Sequence, residues 1–253
     1  MITSTMNAQE ISRMVDKDRD RIKKYLSYRY KEMERSMRKG FSNRASKIID
    51  YSTPNNKYKI VLYVTGKFHT FSLFALNYES NEWLDVTFSL SESEARSQYI
   101  ATSVHFFNRY AERFLGADDM TLNEIILKYY QTMSCSIVLY CDENRIVYAS
   151  SNGLSLATYD EEKEIIHIVT YVSAEMLKYS QFSSWVKVWG VCDRMNQLFR
   201  REINMNGAIS PDTIQYWGFT ENEKLTIEEA SEIYSKFFKN KTNDTDKRIQ
   251  IQY

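Results

Sequence analysis

Proline is scarce in this chain, two residues in 253, so long flexible linkers are not indicated. Cysteine is scarce as well. Cys135, Cys141 and Cys192 are an odd number without C-x-x-C spacing, which reads as free thiols in a reducing cytosol. Histidine occurs three times, at His69, His105 and His167, with no two at i,i+4, so a zinc site would need three separate elements to converge. An excess of charge is missing too. Thirty-three Lys and Arg balance 33 Asp and Glu, which excludes a basic coat for nucleic acid but not a local basic site. No run approaches the ~20 apolar residues of a membrane helix. The opening MITSTMNAQEISRMVDKD has no apolar core of the signal-peptide kind, so a cytoplasmic protein without membrane contact is expected. G-x-G-x-x-G, G-x-x-x-x-G-K-[ST], H-E-x-x-H and G-x-S-x-G are all absent, so no cofactor or metal is expected.

What is present is ordinary for a globular chain: 43% apolar and 26% charged residues, with 19 Tyr and 13 Phe to build a core. Residues 7 to 39 read as one long helix with a narrow apolar stripe of Ile11, Val15, Ile22, Leu26, Met33 and Met37, stopped at Gly40. Up to position 40, 11 basic residues face 6 acidic ones, an excess of five. Such an arm either docks on an acidic partner or a nucleic-acid backbone, or packs on its own protein or on a second copy. So thin an apolar face is not stable alone, so the stripe is expected to be buried on another surface.

The segment 41–57 carries turn chemistry at Thr53–Asn56 and separates this helix from three β-like runs, Tyr58–Thr65, Phe68–Asn77 and Trp83–Leu90. Ser91–Gln98 is polar, and Tyr99–Thr102 is a candidate short strand. Thr121–Glu124 forms a capping box for a helix running to about Met133. A meander then follows over Ser136–Cys141, Arg145–Ser150, Gly153–Tyr159 and Glu164–Ser173, with hairpin chemistry at Asp142–Asn144, Asn152-Gly153 and Asp160–Lys163. Phe182–Ile203 is mainly helical, although VKVWGV also fits an extended segment. Ser210-Pro211-Asp212 reads as a helix start, and Thr226–Glu229 reads as a capping box opening a helix to about Lys239. The fold class is therefore α+β, with helices on an antiparallel meander. The organisation is an N-terminal charged helix over 1–40, a β-rich segment over 57–98, a helix-plus-meander module over 99–175, a helical region over 176–240 and a flexible tail over 241–253.

The stretch TSVHFFNRYAER, Thr102 to Arg113, holds the densest chemistry. Ser103 suits an N-cap, and His105, Asn108, Arg109, Glu112 and Arg113 recur at three- and four-residue spacing on one helical face. Phe107, Tyr110, Ala111 and Phe114 make the opposite stripe. Arg109 and Arg113 are like charges at i,i+4, a costly pair unless an anion or Glu112 offsets it. His105 lies in the first turn, where the helix dipole favours a neutral, proton-accepting imidazole.

In order of elements, this stretch resembles small bacterial domains of unknown function with a T-x-H-A-x-x-R-x-x-x-R helix. These are related to BrnT- and RelE/ParE-type toxins and to the barnase–EndoU–RelE-like group of metal-independent ribonucleases. The resemblance covers about 99–175 and rests on Thr102, His105, Arg109 and Arg113, on Gly153-Leu-Ser-Leu-Ala, and on Ile168-Val169-Thr170-Tyr171. Val104 and Ser103 around the histidine depart from the pattern, as do the extensions on both sides. The resemblance implies cleavage of an RNA phosphodiester by its 2′-hydroxyl. His105 would be the base or acid, Arg109 and Arg113 the phosphate clamp, Thr170 a hydroxyl donor and Tyr171 a hydroxyl or stacking surface. Strict alternation sets His167 with Val169 and Tyr171, opposite Ile166, Ile168 and Thr170, which favours Thr170 over His167 for the site. The other reading is a non-catalytic interaction protein of a mobile element or phage, with a protein or nucleic-acid partner or self-association through the N-terminal helix. An incomplete acid/base set favours it.

Overall fold

The computed structural model describes residues 1–42, 44–65, 68–86, 99–117, 119–132, 136–141, 144–206 and 219–245. Asn7 opens helix α1 (Ala8–Asp16) with a capping box. Its side chain accepts from the Glu10 N–H, and Glu10 Oε2 accepts from the Asn7 N–H, both at 3.0 Å. Helix α2 (Arg19–Lys39) follows after a break at Lys17-Asp18, so the single helix expected over 7–39 is two. Asp18 makes the break. Fully buried, it accepts from Thr53 Oγ1 at 2.8 Å, Asn55 Nδ2 and Asn56 Nδ2 at 2.9 Å each, and Tyr58 Oη at 2.8 Å. A buried carboxylate is tolerated only when such donors fill its lone pairs. Burial pushes its carboxyl up, but the bonds from Asn56, Thr53, Tyr58 and Asn55 outweigh that and hold it below the usual range. All six residues of the expected stripe are buried.

Among the described residues the sheet has nine strands: β1 (Arg44–Ser52), β2 (Lys57–Thr65), β3 (Phe68–Leu76), β4 (Trp83–Val86), β5 (Tyr99–Thr102), β6 (Ser136–Tyr140), β7 (Arg145–Ser150), β8 (Gly153–Asp160) and β9 (Ile165–Ser173). Their spatial order is β1-β2-β3-β4-β5-β9-β8-β7-β6. The class is α+β and every pair but one is antiparallel, yet the sheet is not the simple meander expected. It is two antiparallel runs, β1–β5 and β6–β9, joined by a parallel pair with Ile100 opposite Ile166. The crossover after β5 carries the chain to the far edge, and the second run walks back to meet β5 from the other side. The four strands over 136–173 are consecutive antiparallel neighbours, as the short turns imply. β1 falls inside the segment read as a connection. As an edge strand its exposure does not alternate cleanly, so RASKIIDYS lacks the two-residue signal.

Two local features of β8 and β9 shape the site. Gly153 has φ +150°, and an added Cβ would sit 2.4 Å from the Val172 carbonyl oxygen, so only glycine lets β8 leave its turn this close to β9. The register shifts between Leu156 and Ala157, which face Thr170 and Ile168, leaving one extra residue in β9.

The crossover holds α3 (Val104–Tyr110), a π turn (Ala111–Leu115) and α4 (Leu122–Thr132). Gly116, in the left-handed region at φ 60°, ends the π turn. On the C-terminal side, α5 (Tyr179–Asn206) absorbs VKVWGV into one helix, and α6 (Glu221–Thr245) begins six residues before the expected start. The capping box that forms is Thr220 with Glu223, and Arg194 grips the same Glu223 carboxylate. Thr226 lies inside the helix, its hydroxyl on the Asn222 carbonyl. Residues 241–245, read as part of a flexible tail, are helical. Ser91–Gln98, Asp142-Glu143, Ser210–Asp212 and the chain beyond Thr245 lie outside the described residues.

Opposite parities along the strands separate the two faces of the sheet. Tyr58, Ile60, Leu62 and Val64 pack under α1 and α2, whereas Val61 and Phe74 join Phe106, Phe107, Tyr110, Ile126, Ile146 and Tyr148 under α3 and α4. Val147, Ala149 and Leu154 meet Trp185, Val188 and Tyr234 of α5 and α6. The α1/α2 and α5/α6 pairs therefore share one face, and the crossover helices cover the other.

Candidate functional site

Ser103 Oγ accepts from the Phe106 N–H at 3.2 Å and starts α3 where the sequence predicts. Phe106, Phe107, Tyr110 and Ala111 face the core, so Phe106 joins the expected stripe, while Phe114 is partly exposed. His105 is exposed and no hydrogen bond to its imidazole is present among the described residues. Arg109 Nη1 meets Glu112 Oε2 at 2.7 Å.

Arg113 does not share that face. In the π turn the Gly116 N–H bonds back to the Ala111 carbonyl, five residues away, and the wider turn rotates Arg113 toward the sheet. There Nη1 donates to the Tyr171 carbonyl and, at 3.4 Å, to Thr170 Oγ1. The i,i+4 pair of guanidiniums expected from an ideal helix is therefore split. One cation faces water beside a carboxylate, and the other ties the crossover to β9.

Tyr171 is fully buried in the aromatic cluster of Phe106, Tyr110 and Phe114, and its hydroxyl donates to the Asn152 carbonyl at 2.6 Å. Burial raises its hydroxyl far above the ordinary tyrosine value, so it stays protonated. The extra residue in β9 brings Tyr171 into the same cluster as Ile166 and Ile168, where strict alternation sets them on opposite faces. Thr102 is also buried, donating to the Trp83 carbonyl at 3.2 Å. The structure thus brings Arg113, Thr170 and Tyr171 together as a packing junction, and leaves His105 and Arg109 on the surface.

No protein family, curated protein or solved structure matches this chain. Nothing in those comparisons bears on the resemblance to the RelE-like toxins. Among the described residues no group of three or more His, Cys, Asp and Glu is placed to hold a metal ion. No described helix is long and apolar enough to cross a membrane.

A second cationic surface lies on α2. With Ile22, Leu26, Tyr30, Met33 and Met37 turned inward, Arg21, Lys24, Tyr28, Lys31, Arg35, Arg38 and Lys39 are exposed. The helix carries nine Lys and Arg against three Asp and Glu. A groove of about 360 Å³ is lined by Tyr28, Lys31, Glu32, Arg35, Ser36 and Lys39. Its one carboxylate, Glu32, is paired at 2.8 Å with Arg29, whose guanidinium also sits 4.9 Å from the Tyr25 ring centre and 5.8 Å from that of Tyr28. None of Lys24, Lys31, Arg35, Arg38 and Lys39 is within ion-pair distance of a described carboxylate. The basic excess was legible in the sequence. Which cations lack partners was not, because that depends on what the sheet sets beside the helix.

Proposed function

We propose that this chain is a non-catalytic binding protein whose partner is a single-stranded nucleic acid, held along the exposed face of α2. One observation carries the reading: Lys31, Arg35 and Lys39 surround an open groove with a solvent-exposed tyrosine, Tyr28, and no described acid neutralises them. Cations follow a phosphate backbone without regard to sequence, and an exposed ring offers a base a stacking platform. From Lys24 to Lys39 the helix spans about 22 Å at 1.5 Å per residue, enough for a few nucleotides. The pairing of Arg109 with Glu112, and of Arg113 with β9, argues against a phosphate clamp on α3.

Fluorescence anisotropy with a labelled single-stranded RNA, repeated across a salt series, tests this. Four engaged cations give a slope of log K against log salt of roughly −3. Lys31→Glu with Arg35→Glu is expected to weaken binding at least tenfold, while His105→Ala leaves it unchanged and no RNA is cleaved with or without EDTA. Binding that ignores the α2 charge reversals refutes the proposal. RNA cleavage abolished by His105→Ala would restore the ribonuclease reading instead.

A further inference from the structure

Helix α5 presents exposed chemistry that neither the core nor the cationic face uses. Its inner side, Ser184, Trp185, Val188, Val191 and Cys192, is buried against the sheet and α6, with Trp185 Nε1 donating to the Ser150 carbonyl at 2.9 Å. Its outer side should then be polar. Instead Tyr179, Phe182, Val186 and Trp189 are 90%, 43%, 39% and 42% exposed. Their spacing of three, four and three residues is the seam that packs one helix against another. The Trp189 ring stacks on Trp185 at 5.8 Å with an interplanar angle of 7°, so the exposed ring is already ordered and loses little freedom on docking.

We propose that the protein pairs with a second copy of itself, α5 antiparallel to α5, about a two-fold axis through Val186. In that pairing residues whose numbers sum to twice 186 face each other. Phe182 of each copy then lies over Gly190 of the other, and Tyr179 over Asp193. Gly190 is exposed and an added Cβ there would meet nothing within 4 Å, so there is room for an incoming ring. Glycine inside a helix is unfavourable relative to alanine, and no close contact among the described residues requires it at 190. A tyrosine hydroxyl facing a carboxylate gives the seam a charge-assisted bond at each end.

The area suits a dimer. At about 200 Å² for a whole aromatic side chain, the four exposed groups offer roughly 400 Å² of apolar surface per copy. Homodimer interfaces are about 65% apolar, so two copies imply a total near 1,200 Å², at the lower end of stable interfaces.

Sedimentation equilibrium of the full chain at micromolar concentrations is expected to show a dimer, and Val186→Glu to weaken it at least tenfold with an unchanged far-UV circular dichroism spectrum. Val186→Cys faces itself across the axis, so mild oxidation should give a disulfide-linked dimer much faster than in the wild type or in Ser180→Cys, which lies off the seam. A monomer at every concentration overturns the proposal, as does a dimer indifferent to Val186→Glu or a Val186→Cys chain that cross-links no faster than wild type. Monomers that shift their tryptophan emission on phosphatidylcholine vesicles would assign the seam to lipid and overturn it too.

Discussion

Helices α2 and α3 both present basic residues to solvent on amphipathic frames, yet they use those residues differently. On α3 and the π turn that continues it the cations have partners inside the chain: Arg109 pairs with Glu112, and Arg113 reaches the β9 backbone. On α2 anchoring is left to other groups, the apolar stripe and the Asp18 carboxylate, and Lys24, Lys31, Arg35, Arg38 and Lys39 have no carboxylate partner among the described residues, whereas Arg19 and Arg29 pair with Asp16 and Glu32. A basic helix face marks a binding surface only when its charges are not already holding the fold together.

The comparison breaks hardest at Asp18. Asp18→Ala leaves the Thr53, Asn56 and Tyr58 donors of a buried site without an acceptor, and should cost about 3 kcal/mol or more in denaturant unfolding. Nucleic-acid binding should weaken as the start of α2 loosens. The same carboxylate predicts an acid limb. Its folded value lies below the unfolded one, so its contribution is complete above the ordinary Asp value and disappears as pH falls through the folded value. Thermal melts between pH 5 and about 2 should show that loss, and it should be blunted in Asp18→Asn.

Tyr28→Ala comes next. Removing the exposed ring should weaken single-strand binding by about 1–3 kcal/mol with little change in melting temperature. Loss of stability without loss of binding would show the ring to be packing alone.

Arg113→Ala should cost about 1–2 kcal/mol of stability, because the Tyr171 carbonyl loses a charged donor, and should leave binding unaffected. A binding defect of similar size would put α3 back beside α2 as a phosphate site. Arg109→Ala is the smallest effect, about 0.2–0.5 kcal/mol by urea denaturation, since its pair with Glu112 is exposed and within one turn.

Much of the fold was readable from local chemistry. The stripe from Ile11 to Met37, the Ser103 cap, the Thr121–Glu124 box and the four strands after Ser136 all depend on residues a few positions apart. The misreadings fall where distant groups decide. Lys17-Asp18 is compatible with a continuous helix until the hairpin donors at 53–58 supply a reason to break it. Thr226–Glu229 matches a capping box as well as Thr220–Glu223 does, and Arg194 from α5 supports the earlier one.

The candidate site divides the same way. Composition and spacing by themselves determined that the chain would be α+β, that a basic helix would bury a thin stripe, and that His105, Arg109 and Arg113 would lie in one helical stretch. Tertiary structure alone decided what those groups touch. A π turn rotated Arg113 onto β9, and one extra residue in β9 moved Tyr171 into the core, changes that no residue spacing encodes. The physical reason is range. Helical and strand periodicity follow from bonds along a few residues of backbone, whereas a cation's freedom depends on whether a carbonyl or carboxylate far along the chain is brought within hydrogen-bond reach.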